Sequence, residues 1–287
     1  MILIFYNFLC NMYLHTIVKS VSYRNIVLYI FNFPAIISDT CNKLRMPRRN
    51  RVALVTGGTK GIGYCIGKEI VKRIPSCTCF MTSRDNVQGK TSIIFSPISI
   101  PTFVLVVAGY STLLGMELGA GARHRAKFLT MDIREVEAVR EHREMIVKKF
   151  GGLDILVNNA GIYQKPDLTM FSAQSKEIML TNYWGTKNVI TAFYDDFNPN
   201  SRIVNITSNL AHVKSAVSKE EEELKDCARE KFASAESAAE LDGLVCQFQI
   251  HASLGTWKKE GWPTCAYSVS KMAINAYTRY YFADRNF

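Results

Sequence analysis

The segment Thr56-Gly57-Gly58-Thr59-Lys60-Gly61-Ile62-Gly63 constrains the fold of these 287 residues more than any other. It follows a short apolar run, Arg51 to Thr56, and opens an amphipathic one, Ile62 to Ile74. A strand, a glycine turn and a helix in that order bring backbone close to a ligand, because glycine has no Cβ to hold it away. The start of the helix adds free N–H groups and the positive end of a dipole, which suit a phosphate or pyrophosphate. Gly57, Thr59, Lys60, Gly61, Ile62 and Gly63 are therefore the first binding candidates. A glycine turn alone is a weak signal, and its position between a first strand and a first helix strengthens it.

The rhythm continues after Ile74. Strands are expected at Thr78 to Ser83, Ala126 to Met131, Ile155 to Asn158 and Ile203 to Thr207, and helices at Glu135 to Phe150, Ser175 to Phe197 and Tyr267 to Tyr281. Strands separated by helices build right-handed βαβ units. The expected fold is α/β, a doubly wound parallel sheet with helices on both faces. With 48% apolar residues, the chain can bury one sizeable core, and a single domain over 46–287 is expected.

Two segments depart from this rhythm. Residues 1–45 carry two interrupted apolar runs followed by Lys43, Arg45, Arg48, Arg49 and Arg51. They read as an extension outside the fold, with a membrane anchor as the other reading. Thr91 to Met116 contains no charged residue, yet Pro97 and Pro101 make it a poor helix. Joining Asp85 to Gly115 restores a natural strand-to-helix connection, so 86–114 reads as an apolar insertion. It is either a membrane-contacting loop or sequence foreign to the mature protein.

The net charge of +10 raises the question of nucleic-acid binding. Seven of the basic residues and a single acid fall within 1–51, however, and no basic stripe interleaved with aromatics follows, so no nucleic-acid partner is expected. The eight cysteines are scattered without a CxxC pair, and Cys77 and Cys79 alternate on an expected strand. That pattern suits free thiols in a reducing, cytoplasmic compartment. The five histidines show no metal-binding spacing, and no metal is expected.

Two further features carry chemistry. The second strand ends in Ser83-Arg84, where the adenine ribose of a dinucleotide belongs; an arginine there suits a 2′-phosphate, and Lys60 adds a second cation, which favours NADPH over NADH. Tyr267 and Lys271 stand four apart on an expected helix and share one face. A lysine cation beside a phenol should lower its pKa and make Tyr267 a usable general acid.

In order, Thr56 to Gly63, Asn158-Asn159-Ala160-Gly161, Ser208 at the end of IVNITS, and Tyr267-Ser268-Val269-Ser270-Lys271 resemble the motifs of the short-chain dehydrogenase/reductase family. The resemblance covers Arg51 to about Arg285, apart from the insertion. It implies a Rossmann-type fold and a catalytic set of Asn182, Ser208, Tyr267 and Lys271. The serine would polarise the substrate carbonyl, the tyrosine transfer a proton, the lysine hold the nicotinamide ribose, and the asparagine organise a water relay. It also implies that Asp132 and Ile133 contact the adenine, and that Asn159 lines the cofactor.

Between Ser208 and Tyr267 lie far more residues than most members of the family carry, including the acidic stretch Lys219 to Lys225. This long helical insertion, at about 212–262, is similar to that of the monomeric NADPH-dependent carbonyl reductases, and implies a monomer that reduces aldehydes, ketones or quinones to alcohols. Glu220 to Glu223 reads as a solvated helix start. Trp257 and Trp262 either border the substrate pocket or pack. The family continues with further strands and a Pro-Gly segment beyond the equivalent of Phe287, so the last strands are expected to be missing and Ile203 to Thr207 to become an edge. An alternative stays open: a catalytically impaired dinucleotide-binding variant, associated with membrane through 1–37 or 91–116.

Overall fold

The computed structural model describes residues 50–84, 124–211 and 218–283, with side chains through Tyr281. The extension 1–45 and the insertion 86–114 lie outside the described residues, as do 212–217. Five strands, β1 (Arg51–Val55), β2 (Cys77–Ser83), β3 (Ala126–Thr130), β4 (Leu153–Asn158) and β5 (Phe197–Asn205), form one sheet in the order β3-β2-β1-β4-β5. Every pairing is parallel. The chain winds outward from β1 to β3, then crosses to β4 and β5 on the other side. The carboxyl ends of β1 and β4 therefore flank the switch point where such sheets bind ligands. Among the described residues, β5 is an edge, as expected.

The side-chain alternation of β1 divides the interior in two. Ala53 and Val55 face a core shared with Ile66, Ile70 and Val71 of α1 (Gly61–Arg73). Val52 and Leu54 face a larger core. It is covered by α2 (Val136–Phe150), α3 (Phe171–Met179), α4 (Thr186–Ala192), α5 (Lys219–Ala233), α6 (Ala238–Leu254) and α7 (Ala266–Ala283). α1 lies very close to β2. A Cβ on Gly67 would fall 2.2 Å from the Met81 sulfur, and one on Gly58 would fall 2.7 Å from the Met81 Cβ. The place at Gly58, against a fixed Cβ, requires glycine, whereas at Gly67 the end of the Met81 side chain would have to move.

The helix expected over Ser175 to Phe197 is divided, which corrects the sequence reading. α3 gives way to a π-helical turn, Leu180–Gly185, before α4 resumes and ends at Ala192. A short 3-10 turn, Tyr194–Asp196, follows, and Phe197 already belongs to β5. Acidic residues at a helix C-terminus oppose its dipole, and Asp196 instead accepts a 2.6 Å ion pair from Arg143 of α2. β5 also starts earlier than expected. Leu153 pairs with Phe197 but Ile155 with Arg202, so the intervening residues bulge, with Pro199 among them and Asn200 at φ +62. A bulge accommodates the proline that a regular ladder would reject.

The expected helical insertion is present as α5 and α6. Ser218 caps the first by accepting from the Glu221 N–H, and Ser237 caps the second by accepting from Glu240. Trp262 is 1% exposed, packed between Phe232 and Phe248, and its indole N–H donates to His251 Nδ1 at 3.0 Å. Trp257 lies on Phe171, ring centres 4.4 Å apart. Both tryptophans pack. No helix among the described residues is long and apolar enough to cross a membrane.

Candidate active site

The glycine turn is built from backbone and braced from β4. Gly57 takes φ +62 and Gly61 φ +57, conformations that side chains disfavour. The Thr56 hydroxyl accepts the N–H groups of Asn159 and Ala160, each at 3.0 Å. The Asn159 amide donates to the Thr56 and Gly57 carbonyls, also at 3.0 Å. The side chain of Asn159 thus holds the turn in shape, and a Cβ on Gly63 would strike both this amide and the Gly57 carbonyl at 2.4 Å. Lys60 sits at the N-cap of α1 without a side-chain cap bond, and the first turn has no acid. A Cβ on Gly61 would meet nothing within 4 Å. An open, acid-free helix start on a glycine turn fits a dinucleotide pyrophosphate.

At the end of β2, Arg84 is exposed and its charge reaches Asp132. Burial pushes the Asp132 carboxyl up, but hydrogen bonds and charge from Arg134, with Arg84 beyond, hold it below the ordinary value. The Arg134 guanidinium grips both carboxylate oxygens at 2.6 to 3.0 Å. Ile133 is buried and would collide with any side chain at position 185. Thr59 is buried, whereas Ile62 is only partly covered.

The four expected catalytic residues converge on the carboxyl end of the sheet. Asn182, fully buried in the π turn, accepts from the Ile162 N–H at 2.8 Å and donates to the Ile162 carbonyl at 3.0 Å. Its amide also donates to Ser270 Oγ at 3.0 Å, tying the loop after β4 to α7. A wide π turn is a common way to aim a side chain inward at a functional site. Lys271 is buried and donates to the Ile206 carbonyl at 2.8 Å. Its Nζ lies 5.6 Å from the centre of the Tyr267 ring and would lie 3.6 Å from a Cβ on Gly161. Ser208, 1% exposed, is hydrogen-bonded to Tyr267 and accepts from the Leu210 N–H at 3.2 Å.

The electrostatics correct one expectation. Burial pushes the Tyr267 phenol above its ordinary value, and the Ser208 hydrogen bond only partly opposes this. The lysine is the group brought down, to about 8, by its own burial. Its ammonium is committed to a backbone carbonyl rather than spent on the phenol. Tyr267 is consequently a protonated phenol at neutral pH, the form an acid requires, and Lys271 is a cation below about 8.

Sequence reasoning missed the far side of the site. A cavity of about 390 Å³ lies beside Tyr267, lined by residues that include Tyr163, Leu210, Glu221, Lys225, Cys265 and Ser268. The Tyr163 ring meets Tyr267 edge-on at 5.2 Å. Lys225 is 2% exposed and Glu221 accepts from the Thr264 N–H at 2.8 Å. Glu220 and Glu223 are exposed at the helix start, as expected, whereas Glu221 is half-buried and Lys225 is carried below the surface. The only available signal was Lys225 at the end of the second helical turn, following the four acids Glu220 to Glu223.

The profile of the short chain dehydrogenase family matches residues 105–219. The protein named carbonyl reductase (NADPH) 1 of Bos taurus is 34% identical over 239 residues, covering 82% of this chain and 74% of its own length. The chain belongs to the short-chain dehydrogenase/reductase family. It is an oxidoreductase of that family. The human protein of the same name is likewise 34% identical, over 79% of this chain and 72% of its own. Among solved structures, the menthone neomenthol reductase of Mentha piperita superposes with a TM-score of 0.63 at 27% identity, over 82% of this chain and 86% of the other.

Proposed function

We propose that this enzyme reduces aldehydes, ketones or quinones to alcohols with NADPH, using Tyr267 as the general acid. The observation that carries the reading is the convergence of Ser208, Tyr267 and Lys271 at the same end of the sheet as the glycine turn. The glycine turn would hold the pyrophosphate of NADPH, with Arg84 and Lys60 toward the 2′-phosphate, and the cofactor when bound would supply a hydride. Ser208 orients the carbonyl oxygen toward the phenol, and Tyr267 protonates it as the carbon is reduced. Lys271, charged below about 8 and donating to the Ile206 carbonyl, offers its remaining donors to a ribose hydroxyl. Asn182 holds the loop carrying Gly161 against α7, so that these groups keep their spacing. The names of the bovine and human relatives favour the same cofactor and reaction class.

The reading extends to a cytoplasmic monomer. α5 and α6 pack against α7 and cover a face that could otherwise meet a second copy, while the buried thiols of Cys77 and Cys79, pushed up by burial, suit a reducing compartment. Folded protein mixed with NADPH and an aromatic aldehyde should consume the reduced cofactor, followed by its absorbance. Cofactor binding without turnover of any aldehyde, ketone or quinone would overturn the reading in favour of a non-catalytic dinucleotide-binding protein.

A further inference from the structure

We propose that the cavity beside Tyr267 selects carbonyl compounds bearing a second, uncharged oxygen acceptor, held by the buried ammonium of Lys225. This rests on the carbonyl-reduction reading. The cavity is lined by neighbours of the candidate reacting groups. Cys265 and Ser268 line it on either side of Tyr267 in the chain, Tyr163 stands edge-on to the Tyr267 ring, and Leu210 is hydrogen-bonded to Ser208. Its volume falls within the range of about 300–1,000 Å³ usual for small-molecule sites.

The lining is apolar at Tyr163 and Leu210, with its charge concentrated at one place. The Lys225 side chain is 3% exposed, and its Nζ stands 3.4 Å from Glu222 Oε1. An ammonium carries three donors, so a bond to substrate is compatible with its contacts in the protein. Its field reaches the Cys265 thiol on the cavity wall. Glu221 also lines the cavity, with one carboxylate oxygen on the Thr264 N–H. The lining therefore presents one cation and one carboxylate, with Glu222 adjoining. A carboxylate on the substrate would meet the acids as well as the ammonium. A ketone, ester or amide oxygen accepts the same bond without that repulsion or the cost of desolvating an anion.

Three para-substituted benzaldehydes separate the possibilities: methyl para-formylbenzoate, para-isopropylbenzaldehyde and para-formylbenzoate. Comparing ratios between the native enzyme and Lys225→Met cancels their different intrinsic reactivities. The methyl ester should lose about 10- to 100-fold in kcat/KM relative to the isopropyl compound when Lys225 becomes methionine, the effect of losing a buried bond to a charged donor. An unchanged ratio assigns Lys225 to helix packing and overturns the inference. Should thermal melting show that Lys225→Met does not fold, Glu222→Gln decides. Removing that carboxylate should raise kcat/KM for the para-formylbenzoate anion relative to the isopropyl compound, and no change overturns the inference. If the native enzyme prefers the anion to the ester, the site takes acids and the neutral-acceptor assignment is wrong. Absence of turnover with all three overturns the parent reading and this inference together, whereas turnover without Lys225 dependence overturns this inference alone.

Discussion

The glycine turn and the candidate catalytic cluster lie at the same end of one sheet yet are made of different material. The turn is backbone, contiguous over Thr56 to Gly63, and the side chains of Thr56 and Asn159 serve to hold its shape. The cluster is side chain, drawn from the π turn, the end of β5 and α7, with Asn182 and Ser270 88 residues apart in sequence but bonded. Groups that bind a constant ligand part can be carried by backbone, whereas groups that move a proton need functional atoms whose pKa the surroundings set. The two regions should therefore fail differently.

The largest expected effect is Tyr267→Phe, which should lower kcat by about 10²–10⁴-fold, the usual worth of a positioned acid. NADPH affinity, measured by fluorescence titration, should move little. A parallel loss of affinity would show that the two regions are not separable. Asn182→Leu comes next. It strands both polar groups of the half-buried Ile162 backbone, at about 1 kcal/mol for each. Chemical denaturation should report the loss, with kcat falling more than KM rises. Gly63→Ala should show the opposite signature. Its Cβ meets the Gly57 carbonyl and the Asn159 amide, an overpacking cost of about 1–3 kcal/mol. NADPH affinity should weaken, while kcat at saturating cofactor changes by less than about threefold. The smallest effect is one of pH. The ammonium of Lys271 is present below its pKa of about 8 and lost above it. The reductive rate should thus hold on the acid side and fall by about tenfold per unit well above 8, with no such limb in Lys271→Met.

The turn, Arg84 and the Tyr267-Lys271 pair were legible because each is local, and local spacing translates directly into turn, strand end or helix face. The division of the long helix was not. A π turn inserts a residue without leaving a proline or a glycine pair as a mark, so the 3.6-residue pattern ran on to Phe197. The start of β5 was hidden for a similar reason. Asn198 to Ser201 look like a loop, and only pairing with β4 turns their flanks into a strand. The cavity was least legible of all. Lys225 reads as one charge among many in Lys219 to Lys225, until α5 is packed against α7 and the ammonium is carried below the surface. The order of the pKa values was also out of reach, since desolvation, which raises Tyr267 and lowers Lys271, depends on neighbours that sequence spacing does not supply.

Met81 links the two themes from below. Its thioether fills the notch left by Gly58 and Gly67, so the distance between α1 and the sheet is set by one unbranched side chain. The glycine turn rides on that helix. A bulkier side chain in its place would act as a spacer under the turn, and Met81→Phe should appear as weakened NADPH affinity with the proton-transfer groups untouched.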